Sequence, residues 1–144
     1  MNDPIAVVGD IYRFLATGKE TGGSYAFWEG HIFPGGGPPE HVHSREEEGF
    51  YILEGEVIFY VEDKRIVGRP GDSFHLKRGT PHRFKNESEG MAKMLIWVAP
   101  AGFEEMFFRI GKPVSDVSVA PDVNPEEIAR LLQIAPEYGL EIKV

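Results

Sequence analysis

Turns punctuate this sequence too regularly for a helical or α/β chain. Pro34-Gly35-Gly36-Gly37, Glu54-Gly55, Asp63-Lys64, Pro70-Gly71-Asp72 and Arg78-Gly79-Thr80-Pro81 succeed one another through its middle. Turn signals recurring roughly every 8 to 12 residues without intervening helices predict an all-β sandwich or barrel, not a parallel sheet. Segments 25–33, 50–53, 57–61, 65–67, 73–76, 82–85 and 91–98 lie before, between and after these turns, and each reads as a strand. Glu54-Gly55 and Asp63-Lys64 suit hairpins, so the middle of the chain reads as an antiparallel meander.

The two ends differ from the middle. In residues 5–22, Ile11, Phe14 and Leu15 could line a turn of helix, but Thr21-Gly22-Gly23 interrupts it, which predicts an irregular or short-strand lead-in. After Pro100, the spacing of Phe103, Met106 and Phe107 predicts a short helix over 102–110. Asn124-Pro125-Glu126-Glu127 is a helix start, with a capping side chain and Pro in the first turn. Ile128, Leu131, Leu132 and Ala135 would form that helix's buried stripe and Pro136 its end, with 112–123 as linker. The expected organisation is one domain over 1–144, with a barrel core at about 20–100 and a helical extension over 101–144.

Composition narrows the chemistry. A chain of 144 residues can build a core without staples. With no cysteine there is neither a disulfide framework nor a thiolate site, so a metal would be held by imidazole, carboxylate or water. A net charge of -8 argues against a nucleic-acid surface. No run approaches the length of a membrane span, and MNDPIAVVGD lacks a basic segment followed by an apolar run, so the expectation is a cytoplasmic protein without membrane contact.

The stretch Gly35 to Gly55 carries the chemistry. In an extended strand, His41 and His43 share a face and Val42 points away, which suits two ligands on one ion. Glu48 follows five residues after His43. His82, after the Thr80-Pro81 turn, is a candidate third imidazole at the start of a strand. Three imidazoles and a carboxylate suit Fe, Mn, Co, Ni, Cu or Zn better than Ca or Mg, and leave coordination positions open.

These residues resemble the cupin family. Its first motif, G-x5-H-x-H-x4-E-x6-G, is met by Gly35, His41, His43, Glu48 and Gly55; its second, G-x5-P-x-G-x2-H-x3-N, by Gly71, Gly79, His82 and Asn86, with Lys77 in place of the proline. The resemblance implies a six- to eight-stranded jelly-roll barrel with a divalent transition metal on His41, His43, Glu48 and His82. GGGPPEHVHSREEEGFYILEGE and APAGFEEMFF further resemble single-domain cupins related to quercetin 2,3-dioxygenase. That likeness implies a dioxygenase acting on a small enol, diketone or phenolic substrate, with Glu48 as both ligand and proton acceptor. A sugar or keto-acid isomerase and a non-catalytic binding module are the alternatives.

Glu47 competes with Glu48 for the carboxylate position, but the spacing to Gly55 favours Glu48, leaving Glu46 and Glu47 as solvated charges. His31 and His75 read as structural or surface residues, and Asn86 as a loop-orienting residue. Phe50, Ile52, Phe59, Phe84 and Trp97 are core residues that could line a pocket, and Arg83 and Lys85 should face outward. The apolar C-terminal helices suit pairing into a homodimer.

Overall fold

A computed structural model describes residues 3–143. In chain order its strands are β1 (Ile5–Val7), β2 (Asp10–Ala16), β3 (Ala26–Ile32), β4 (His41–His43), β5 (Glu47–Glu54), β6 (Val57–Val61), β7 (Lys64–Gly68), β8 (Ser73–Leu76), β9 (His82–Lys85), β10 (Ala92–Ala99), β11 (Lys112–Pro113) and β12 (Leu140–Ile142). Helix α1 (Gly18–Thr21) follows β2, α2 (Glu104–Ile110) follows β10, and α3 (Pro125–Ile134) runs into a 3-10 turn at Ala135–Tyr138.

The strands form two antiparallel sheets, ordered β11-β1-β2-β3-β10-β5-β8 and β12-β4-β9-β6-β7. Their inner faces share one core that includes Trp28, Phe50, Ile52, Phe59, Met94 and Ile96. The fold is therefore the expected all-β jelly roll. The sheets do not join into one closed barrel, and with seven and five strands they exceed the six to eight expected. The extra strands come from the two ends of the chain. The middle is not the expected meander: Asp63-Lys64 turns the β6–β7 hairpin, but Glu54-Gly55 carries the chain from β5 in one sheet to β6 in the other.

The lead-in is more ordered than expected. Along β2, Asp10, Tyr12 and Phe14 share the inward face, while Ile11, on the opposite face, is also fully buried. A buried Ile11 on the outer face, with the Arg13 side chain beyond it 38% exposed, blurs the apolar-polar alternation that marks a strand in sequence. Thr17 and Glu20 then form a capping box that starts α1.

At the other end, α2 buries Met106, Phe107 and Ile110, with Phe103 buried just before it. Glu104 is buried too, accepting from the Gly18 N–H at 2.8 Å and the Gly102 N–H at 2.6 Å, so it ties α2 to α1. Asn124 caps α3 by accepting from the Glu126 N–H at 2.7 Å. The stripe of α3 differs from expectation: Leu131, Ile134 and Ala135 are buried, whereas Ile128 and Leu132 are 41% and 38% exposed. Ile128 and Leu132 lie four apart on one line of the helix surface, and α3 docks by the neighbouring line. Pro136 lies within the 3-10 turn that continues the helix. The expected linker supplies β11, which pairs with β1, and β12 pairs with β4.

Candidate metal centre

The two motif segments run antiparallel and are joined at three points. The Gly35 N–H donates to the Asn86 carbonyl at 2.7 Å, and the Asn86 N–H to the Gly36 carbonyl at 3.0 Å. His41 lies directly opposite His82 in the β4–β9 pair, and the Gly79 N–H donates to the His43 carbonyl at 2.8 Å. Asn86 is fully buried; its amide donates to the carbonyls of Ile32 and Gly90, both at 2.8 Å, and its oxygen accepts from Ser88. It orients a loop, as expected.

His41, His43 and His82 come from the smaller sheet; Glu48, on β5, reaches across from the larger one. All four are buried, and one donor atom from each lies within 4.8 Å of the others. Glu48 Oε1 is 2.8 Å from His82 Nε2 and 3.3 Å from His43 Nε2. Neighbouring ligands on an ion with bonds of about 2.1 Å sit about 3 to 3.4 Å apart, so this spacing fits a coordination sphere. His43 Nε2 is buried without a hydrogen-bond partner, an orphaned atom of the kind a metal satisfies.

Each imidazole is held from behind through Nδ1. The partner is the Pro39 carbonyl for His41 and the Thr80 carbonyl for His82, both at 2.9 Å, and Glu46 Oε1 for His43 at 3.2 Å. A donating Nδ1–H leaves the Nε2 lone pair for a metal and fixes the ring's orientation. The Phe103 ring stands edge-on to His43, with centroids 4.5 Å apart.

The electrostatics favour a cation here. Burial, reinforced by the neighbouring imidazoles of His82 and His43, pushes His41 down to about 3 and keeps it neutral. Burial would raise the Glu48 carboxyl, but the charge of His43, 3.3 Å away, and the hydrogen bond with His82 outweigh it and hold Glu48 well below the usual carboxylate range. Burial would also lower His43, yet Glu48 on one side and Glu46 on the other raise it to about 9. Two carboxylates thus attract positive charge to the point where the four donor atoms meet. Neutral imidazole and ionised carboxylate are the forms that bind metal, so an ion taken up here would displace the proton that His43 holds.

Alternation places Glu48 among the histidines and turns Glu47 away, 3.7 Å from the exposed His75. Glu46 corrects the reading of it as a solvated charge: it is 4% exposed and holds His43. The same alternation could have found it, since positions 46 and 48 share a parity. His31 is structural, bonded to Glu29 at 2.9 Å. Trp97 lies outside the pocket, across the outer face of Gly49, where a Cβ would fall 1.8 Å from its ring. Phe50, Ile52 and Phe59 are core residues away from the cavity, while Phe84 lines it. Arg83 faces outward over the Tyr60 ring.

The cavity beside the cluster has a volume of about 70 Å³. Its walls include Phe103, Met106 and Phe107 from the α2 region and Leu131 from α3, so the C-terminal extension roofs it. Among the polar side chains that line it, sequence reasoning missed Asp10, Tyr12 and Trp28. They sit on strands whose alternation was obscured or whose aromatics read as core.

A family profile for the Cupin domain matches residues 28–98. The chain is 30% identical to quercetin 2,3-dioxygenase of Bacillus subtilis over 74% of its own length, but covers only 32% of that protein. It is 32% identical to a β-D-galactosidase of Mycobacterium tuberculosis over 62% of its own length, covering 78% of that protein. The crystal structure of a predicted oxalate decarboxylase from Thermotoga maritima superposes with a TM-score of 0.64 at 21% identity, over 68% of this chain and 92% of that one, a likeness of fold alone.

Proposed function

Because the chain belongs to the cupin superfamily, we propose that it is a metal-dependent dioxygenase acting on a small enol, diketone or phenolic compound. In this reading His41, His43, Glu48 and His82 hold a divalent transition metal. The observation that carries it is the convergence of these four buried donors on one point beside a largely apolar cavity. When bound, such an ion supplies Lewis acidity and one-electron chemistry with dioxygen. Glu48 accepts the proton of the substrate hydroxyl, and the neutral His41 keeps a lone pair available at Nε2. Phe103, Met106 and Phe107 exclude water from the reacting end. The likeness to a quercetin 2,3-dioxygenase supports the oxygenase class. Metal analysis of protein purified without chelators, followed by oxygen-electrode assays with flavonols, β-diketones and catechols, tests it. Substoichiometric metal and no oxygen uptake with any of them would refute it.

A second reading, oxygen-independent proton transfer on a sugar or keto acid, has its own support. The cavity holds two carboxyls driven in opposite directions. Burial pushes Asp10 up to about 7 against its backbone hydrogen bonds, while Glu48 stays ionised. Two carboxyls lining one cavity, one partly protonated near neutral pH and one ionised, are an arrangement acid-base catalysis can use, and the β-D-galactosidase relative is a sugar enzyme. Turnover without oxygen uptake would select this reading.

A homodimer accompanies either reading, with the uncovered Ile128–Leu132 line of α3 as its apolar contact. A concentration-independent mass of 16.1 kDa by light scattering would refute it.

A further inference from the structure

The polar side chains lining the cavity fall into two groups. His41, His43 and Glu48 belong to the metal cluster. Asp10, Tyr12 and Trp28 form the other group, on β2 and β3. Asp10 and Tyr12 are two apart on the inward face of β2. The Tyr12 and Trp28 rings are 5.9 Å apart, and the Tyr12 ring lies over Gly30. Trp28 is 1% exposed, and its Nε1–H is buried without a partner. A buried indole N–H ordinarily finds an acceptor, and one left unmade costs about 1–3 kcal/mol. The Asp10 carboxyl is anchored on the Phe33 N–H at 3.2 Å and so stays beside Tyr12. No lysine or arginine lines the cavity.

We propose that Tyr12 and Trp28, with Asp10 beside them, bind the far end of the substrate and set its specificity. The substrate is a compact, largely apolar, neutral molecule with a metal-binding oxygen pair at one end and a carbonyl or hydroxyl at the other. Tyr12 O–H and Trp28 N–H donate to that distal oxygen. A carboxylate there would be buried beside Asp10 with no cation to pair it, so acidic analogues are rejected. This inference rests on the metal-site reading of the cluster and extends it to the opposite wall.

Three matched probes test it: catechol, protocatechualdehyde with a neutral carbonyl at the far end, and protocatechuate with a carboxylate there. Each is titrated by calorimetry, without oxygen, into cobalt-loaded protein. The aldehyde should bind about ten-fold tighter than catechol, as expected for one to two buried hydrogen bonds, and also about ten-fold tighter than the carboxylate. In Tyr12→Phe and Trp28→Phe the aldehyde's advantage over catechol, both measured in the same variant, should fall below about three-fold, with cobalt content unchanged. Circular dichroism checks folding, and Tyr12→Phe, which removes one oxygen, carries the test if Trp28→Phe misfolds. Equal affinity for aldehyde and catechol, an advantage surviving in both variants, or tight binding of the carboxylate overturns the proposal. Cobalt uptake with no affinity for any probe overturns the proposal alone; failure to take up cobalt overturns the metal-site reading and this proposal with it.

Discussion

Glu46 Oε1 lies 3.2 Å from His43 Nδ1, while Glu48 Oε1 lies 3.3 Å from Nε2 of the same ring. One imidazole is therefore held between two buried carboxylates, one in position to bind a metal and the other to fix the ring. Outer partners of this kind typically contribute 10- to 100-fold in metal affinity. Glu46→Ala should weaken cobalt or zinc binding by about 10- to 100-fold in competition with a chromophoric chelator, and Glu46→Gln, which keeps an acceptor, by less. Unchanged affinity in the alanine variant would show that Glu46 does not support the site.

The histidines are separable by the same assay. His43→Ala and His82→Ala each remove a donor atom from the cluster and should lower metal affinity by more than about 100-fold, beyond the loss of an outer partner. His75→Ala, altering an exposed ring outside the cluster, should leave affinity unchanged. Equal behaviour of all three variants would contradict the four-residue cluster.

How much of this was legible beforehand depended on whether a residue's role was local. His41, His43, Glu48 and His82 follow from spacing and strand parity, and the β6–β7 hairpin from Asp63-Lys64; Glu54-Gly55 misled, because a turn signal does not tell a hairpin from a crossing between sheets. Asp10, Tyr12 and Trp28 were hidden because their role is set by which strand lies beside which. β2 buries Ile11 on its outer face as well as Tyr12 and Phe14 on its inner one, which blurs its alternation, and nothing in Trp28 itself distinguishes a cavity wall from core. Ile128 and Leu132 misled for the opposite reason. Helical periodicity shows that an apolar stripe exists but not which part of it the neighbouring elements cover.

Asp10 gives a pH dependence of definite sign. It is 2% exposed, and burial pushes its carboxyl up to about 7 from an ordinary 3.8. The folded protein therefore holds the proton more tightly than the unfolded chain. The resulting stability is fully present below about pH 4 and is lost as pH rises through about 7, a change of about 4 kcal/mol. Asp10→Asn cannot ionise and lacks this dependence. Urea unfolding across this range should show wild type losing stability relative to Asp10→Asn as pH rises; a pH-independent difference would refute the assignment.

Gly37 links the two motif segments sterically. Its φ is 126°, and a Cβ there would lie 2.0 Å from the Phe84 carbonyl oxygen on β9. That atom belongs to backbone two residues from His82 and cannot yield as a flexible side chain would. Gly37→Ala must therefore distort either its own left-handed backbone or the strand that positions His82. The expected cost is about 3 kcal/mol or more in urea unfolding. Gly35→Ala makes an informative comparison, since φ is also positive at 80° but a Cβ there meets nothing within 4 Å. It should cost only about 1–2 kcal/mol, from the backbone conformation alone. Because only Gly37 presses on β9, metal affinity should fall in Gly37→Ala and persist in Gly35→Ala; equal losses in both would show that backbone conformation, not the contact with Phe84, decides the outcome.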